Sequence, residues 1–580
     1  MKAIFKLTFL IIFLLATQAC NSFLDQVPDD RQTIEEVFQK KRPSEEYLAN
    51  IYSFVPDESD QWNGNPWVGN VDEIHVAWAK WTVYQLNIGN WTPGSSPFYK
   101  WQNYYNGIRS ATYFMNHIDG NAEILNIDGQ GLIDQYKAEA RFLRALYYFM
   151  IIRQYGPCVL LGDTEIPADA TGGDLQRERS SFDECVEYIA SEFAEAAKVL
   201  PVVNSHERDF GRATKGAALA FRARLLLYAA SPLYNGNTAQ ASFRNKDGKQ
   251  LISQVYDKEK WKRAADAAKE VIALNSYQLY QDETKDPIKS YRGVLLTPWN
   301  SEMIFGRKGN DLWNWDYNCS LRSAGGWNGV APLQEMVDDY FMKDGKSIQE
   351  SALYSEGGTT NGIYNMYVDR EPRFYASILF HGTTYKGGNI TKDPIGVELN
   401  YSGRDGKKNG GEDYSHTGYL VIKGVSPETN RLTGTSASRP FVLMRLGEVY
   451  LNYAEALAEY GGNDTEALHY LNLIRRRAGI PEYGSKDLPV PTGAALIQQI
   501  RRERRIELAF ESHRWFDVRR WKIVDTIMGD QHGMNVDGDN NEFFRRTVIA
   551  NYAWRQAYYW FPLAQYEMDR GLLLVQNPGW

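Results

Sequence analysis

Apolar residues in this chain recur at helical spacing in several long blocks. Over residues 132–155 (LIDQYKAEARFLRALYYFMIIRQY), Tyr136, Ala140, Leu143, Tyr147 and Ile151 return every three or four positions and form one stripe, and Gly156-Pro157 ends the helix. Residues 213–230 and 261–274 repeat the pattern, with alanines small enough to let helices approach closely. Near the C-terminus Leu446, Val449, Tyr450, Tyr453 and Leu457 mark another helix, and Gly461-Gly462 break it. Asn463 with Glu466 fits a capping box for the next helix, Ala467 to Ala478. Helix, Gly-rich turn, helix, then Pro481 has the shape of a tetratricopeptide-like pair without the full consensus. Two stretches read differently. Residues 284–440 and about 57–100 are rich in Gly, Asn, Asp, Ser and Tyr, which predicts long loops with short strands, the kind of segment that carries function. The expected fold is mainly α: tetratricopeptide-like helix pairs form a scaffold over about 30–283 and 441–580, from which the two loop-rich regions project as ligand regions.

The N-terminus reads as an address. Lys2 and Lys6 precede the apolar run Leu7 to Ala16, and Thr17-Gln18-Ala19-Cys20 follows, the layout of a secretory signal over residues 1–19. Ten apolar residues are too few to span a bilayer. A Cys directly after a small Ala19 is similar to the bacterial lipoprotein box, in which the Cys sulfur takes a diacylglyceryl group and becomes the mature N-terminus; Thr17 departs from that pattern, where Leu is usual. Cys20 is thus the expected lipid anchor and 20–580 a single domain. Cys158, Cys185 and Cys319 show no CxxC spacing, so neither a disulfide scaffold nor a zinc knuckle is expected.

Charge narrows the function classes. Lys+Arg 64 against Asp+Glu 72 gives a formal net charge of -8, which argues against a nucleic-acid binder, because that affinity comes from neutralising phosphates with Lys and Arg. Over Ile500 to Trp521, Glu503, Glu507 and Glu511 interleave with Arg501, Arg502, Arg504, Arg505, Arg519 and Arg520, so opposite charges meet at i,i+3 and i,i+4. That pattern predicts a solvated or scaffold-bracing salt-bridge face.

The aromatic distribution carries the binding hypothesis. Trp62, Trp67, Trp78, Trp81, Trp91 and Trp101 crowd one loop-rich segment, and Trp299, Trp313, Trp315 and Trp327 crowd the other. A sugar ring has an apolar C–H face and a polar rim; a flat indole covers the face with little rotamer entropy to lose, while Asp, Asn and Arg bond the hydroxyls. Polar neighbours are Asp72, Asn90, Asp311, Asn314, Asp316 and Arg322. The alternative for any one Trp is a core anchor that pins a loop to the scaffold, and Trp101, inside a helical pattern, is expected to be one.

Enzyme signatures largely fail. There is no HExxH and no GxSxG, and the eight His show no metal-ligand pattern. Gly345-Lys346-Ser347 lacks the first Gly of a phosphate loop, where Tyr340 stands, and Asp537-Gly538-Asp539-Asn540-Asn541 has Glu542 where a calcium loop demands Gly. No metal and no cofactor are expected. A helical glycosidase or polysaccharide lyase remains the rival class, since the separation of carboxylate pairs is invisible in sequence.

Several blocks together carry a resemblance. Cys20-Asn-Ser-Phe-Leu-Asp25, KAEARFLRALYYFMIIRQYGP (137–157), FVLMRLGEVYLNYAEALAEYG (441–461), LNLIRRRAGI (471–480), IRRERRIELAFESHRWFDVRRW (500–521) and the closing FPLAQYEM and LLLVQNPGW resemble the RagB/SusD family of Bacteroidota. The resemblance implies a lipid anchor in the outer membrane facing outward, a SusC-like TonB-dependent transporter as partner, and a nutrient-binding role for glycans, or in some branches peptides, without catalysis. By position it points to Trp78, Trp81 and Trp91, and to Trp299, Trp313, Trp315 and Trp327, as ligand contacts, which with the polar neighbours Asp72 and Arg322 make up the expected site.

Overall fold

The computed structural model describes residues 34–59, 66–167, 169–308 and 312–580, so Cys20, Trp62 and Asp311 and the roles expected of them lie outside the described residues. The scaffold is a row of helices in which each packs on the one before it. The Trp101–His117 helix packs on Gln130–Tyr155, which packs on Phe182–Val199; that helix packs on Lys215–Ala230, and Lys215–Ala230 on Glu259–Ala273. The chain then leaves the row for its long irregular excursion. It returns with the Leu446–Tyr460 helix, which docks against Glu259–Ala273 and carries Asp464–Ala478 and Gly493–Glu507 beside it. The fold is mainly α, as the spacing predicts.

Small residues explain the close packing. Every residue of Lys215–Ala230 is buried except Lys215 and Arg222, and Ala264, Ala265, Ala267 and Ala268 are buried on its neighbour. The 26-residue helix Gln130–Tyr155 is wrapped more fully than its single stripe predicts, because from Phe142 to Tyr155 every residue is buried. Its polar members are paired: Arg144 donates to Glu192 and Thr112, and Arg153 to Glu58. Gly156 stops it at φ +71, a conformation that disfavours any residue with a Cβ, and a Cβ there would also stand 3.3 Å from the Trp560 indole nitrogen.

The expected capping box at Asn463 does not form. The Asn463 amide donates instead to the Glu466 carboxylate at 2.6 Å, which also accepts from Tyr453 Oη, so neither side chain satisfies a helix amide. A complete box occurs at Ser181 and Glu184, opening Phe182–Val199.

Residues 284–440 hold more structure than loops with short strands. Asp286 caps a helix over Pro287–Leu296, with Pro at its start. Further short helices cover Leu312–Cys319, Gln334–Asp339 and Pro372–Ser377. The strands form two-stranded antiparallel pairs, among them Ile74–Val76 with Val330–Pro332 and Met303–Arg307 with Phe441–Arg445.

The charged segment Ile500–Trp521 is internal. Two helices, Gly493–Glu507 and Arg514–Arg520, are separated by a turn in which Phe510 and Ser512 take positive φ. Glu503, Arg504, Glu507 and Arg520 are buried, and most of their partners are distant in sequence, not one helical turn away. Glu507 accepts from Arg373, Arg445 and Arg477; Glu503 pairs with Arg373 and Arg475; Glu511 pairs with Arg445 and Lys423. The scaffold-bracing reading describes this network and the solvated reading does not. Burial alone would raise the Glu511 carboxyl, but Arg445 and Lys423 outweigh it and hold it at about 2.

Candidate glycan-binding face

Two segments far apart in sequence meet where Ile74–Val76 pairs with Val330–Pro332. The pairing continues outward through Ala77 N, which donates to Gly329 O at 2.9 Å, and Gly329 N donates to Asn318 O at 2.8 Å. Trp78 and Trp81 follow on one segment, and Trp313, Tyr317 and Trp327 stand on the other. The Trp78 ring lies flush on the backbone at Gly329, where a Cβ would stand 1.8 Å from its Cη2 atom; only Gly permits that approach. Its indole nitrogen donates to Asp413 at 2.9 Å.

Trp78 is therefore buried and serves as a brace. Trp81 packs edge-on against it with centroids 6.0 Å apart and is half-buried. On the facing segment Trp313 and Tyr317 are four residues apart on the Leu312–Cys319 helix, which puts them on one face; their rings meet edge-on at 5.0 Å. Trp313 is 47% exposed, the most open of the indoles expected to bind. Trp327 is joined to this helix by its own amide, which donates to Tyr317 O at 2.8 Å, and Arg431 covers its ring at 4.5 Å. Arg322 is half-buried and donates to Arg404 O at 2.6 Å.

The loop carrying these groups is fixed from below. Asp405 accepts from Ser323 N and Ser323 Oγ, and the Asn328 amide donates to Asp405 O. Asp316, on the buried side of the same helix, is paired with Arg439 at 2.6 Å. His75 and His416 contact each other at 3.2 Å; burial pushes them down to about 3 and about 4, so both imidazoles are neutral at physiological pH. The result is a rigid group of aromatic rings beside guanidinium and amide donors, suited to stacking and hydrogen bonding.

Four of the expected contacts are elsewhere. Asp72 is 2% exposed and clamped by Arg505 and Arg514; burial would raise its carboxyl, and the two guanidiniums instead hold it well below the usual carboxylate range. It ties the N-terminal segment to the C-terminal helices and is buried away from this face. Trp91 is 2% exposed within a ring cluster of Tyr558, Phe561 and Trp580, all within 4.8 Å. Trp315 is buried and donates to Lys423 O. Trp299 is half-buried against Phe210 and Lys308, outside this group. Trp101 is buried, as its helical context predicts.

Sequence reasoning missed Tyr317 and Arg431. The first had a local signal, its i,i+4 spacing from Trp313; the second had none, because residue 431 reaches Trp327 only through the folded excursion.

Comparison with known proteins agrees with this architecture. A family model described as "SusD family" matches residues 299–580, and one described as "Starch-binding associating with outer membrane" matches residues 22–227. The solved structure of BT4246 superposes with a TM-score of 0.83 at 29% identity, covering 93% of this chain and 99% of that one. A SusD-like protein of Bacteroides ovatus is 24% identical over 534 residues, 88% of this chain and 80% of the relative. The starch-binding protein SusD of Bacteroides thetaiotaomicron is 23% identical over 538 residues, 88% of this chain and 83% of the relative. With a SusD-type model matched in each half and a solved relative superposing along nearly its whole length, the chain belongs to the RagB/SusD family.

Proposed function

We propose that this protein captures an oligosaccharide or polysaccharide at the cell surface and hands it to a SusC-like TonB-dependent outer-membrane transporter. One observation carries the proposal: an exposed Trp313, with Tyr317, Trp327 and Trp81, stands on a braced surface built from two distant segments. An aromatic ring left open to water, with Arg431 over the Trp327 ring and Arg322 on the same loop as Trp327, offers the apolar face and the donors that a sugar needs. The Cys20 box supports an acyl anchor that holds the body at the outer face of the outer membrane. The role assigned here is binding without catalysis.

The test is a titration of the full-length protein with plant, microbial and host glycans, followed by tryptophan fluorescence and heat. Saturable binding to one glycan class is expected. In the variant Trp313→Ala, affinity should fall at least about tenfold, roughly 1.4 kcal/mol, with the thermal midpoint unchanged because that ring stands largely open to water. Full affinity in that variant would overturn the assignment of the platform. Binding of peptides, with silence toward every glycan, would overturn the cargo class.

A further inference from the structure

A trough of about 790 Å³ opens alongside the short helix that follows Trp81. One wall is that helix, Thr82–Asn87, through Thr82 and Gln85. The loop over 93–99 lines it further, and the opposite wall is the helix Gln565–Arg570, through Tyr566 and Asp569. Its volume lies within the range of about 300–1,000 Å³ usual for small-ligand sites. Trp81 directly precedes the helix and Gln85 lies four residues on, so the trough begins within about one helical turn of the indole.

The lining has the chemistry of a sugar site. Gln85 and Asn90 supply amides that donate and accept, and Thr82 and Ser95 supply hydroxyls. Tyr566 is 43% exposed and stands edge-on upon Tyr99 at 5.8 Å, which stands edge-on upon buried Tyr155 at 5.8 Å; the open ring is the end of a fixed aromatic column. The polar groups are held as well. Asn90 donates to Gln85 at 2.7 Å and Gln565 to Asp569 at 2.8 Å, and Gln565 N donates to Pro93 O at 2.9 Å, joining far wall and loop. Such a surface loses little entropy on binding.

Charge restricts the ligand. Asp569 is the one acidic residue lining the trough, and none is Lys or Arg. A uronate or sulfated unit would meet a carboxylate and no counter-cation, whereas a neutral hydroxylated unit meets amides, hydroxyls and a ring.

We infer that the trough is a second subsite, binding neutral sugar units of the same chain whose other units stack on Trp81, Trp313 and Trp327. This inference rests on the glycan-binding reading above. It gives affinity that rises with chain length, because only a longer oligosaccharide reaches both places.

The experiment titrates full-length protein with neutral α-glucan, β-glucan, mannan, xylan and galactan oligosaccharides of increasing length, beside oligogalacturonides of matched lengths. Wild type should bind long members of one neutral series about tenfold more tightly than the shortest member that binds. Gln85→Ala with Tyr566→Ala should remove that increment and leave the shortest member's affinity unchanged. Ser95→Trp, an exposed loop substitution that fills the trough without deleting any wall, should do the same. A length increment that persists in both variants, an absent increment in wild type, or an equal increment for the acidic series would overturn the subsite while leaving the aromatic face standing. Silence of wild type toward every series would overturn both together.

Discussion

Trp91 and Trp313 are the same side chain set to opposite tasks by their neighbours. Trp91 fills a space between Tyr558, Phe561 and Trp580, so its removal opens a cavity that those rings cannot close. Trp91→Ala should cost about 3–5 kcal/mol in urea unfolding, and glycan affinity measured on the fraction still folded should match wild type. Trp313→Ala has the reverse signature, with affinity lost and stability kept. Nothing local distinguishes the two in sequence. Both sit in Gly- and Asn-rich text, and the partners that bury Trp91 come from the last residues of the chain. Asp72 misled for the same reason, since the guanidiniums that claim it are Arg505 and Arg514.

At the scale of the element, what could be read locally is what the chain settles locally. The spacing of Tyr136, Leu143 and Tyr147 and the stop at Gly156-Pro157 are internal to one helix, and that helix runs from Gln130 to Tyr155. Caps depend on finer rotamer choices. Asn463 and Glu466 are spaced correctly, yet Tyr453 and Lys269 claim the carboxylate, and the box is lost. Ser181 and Glu184 make theirs although Lys249 also pairs with the carboxylate, the hydroxyl accepting from Glu184 N and the carboxylate accepting from Ser181 N at 2.7 Å. Ser181→Ala should destabilise the protein by about 1 kcal/mol, read as a lower urea midpoint at unchanged slope. The charged helix Gly493–Glu507 marks the limit of local reading. Its acids face Arg373, Arg445, Arg475 and Arg477, contributed by other elements, and a one-turn pairing rule has no access to them.

Across the whole molecule, Glu511 joins parts that are remote along the chain: Arg445 leads into the returning helices, while Lys423 belongs to the excursion. Its carboxyl is held at about 2 when folded, against an ordinary value of 4.5. A depressed carboxyl contributes stability that is complete above its unfolded value and is lost as pH falls toward the folded one. Glu511→Gln leaves two buried cations short of a partner and should cost about 3–5 kcal/mol near pH 7. Urea midpoints of wild type and variant should converge as pH drops from about 4.5 toward 2, and a gap independent of pH would show that ionisation of Glu511 contributes nothing.

The return of the Leu446–Tyr460 helix to dock on Glu259–Ala273 has one more consequence. It makes everything between them a closed loop whose two ends are fixed by the scaffold, and which is tied to it again where Arg373, Lys423 and Arg445 pair with Glu507 and Glu511. The entropy of closing a flexible loop grows only as the logarithm of its length, and each doubling costs about 0.6 kcal/mol. Insertions, deletions and rewriting are therefore cheap for the helical row wherever the loop does not supply these buried ion pairs. A lineage can exchange the exposed parts of that loop while inheriting the frame and its ion pairs unchanged.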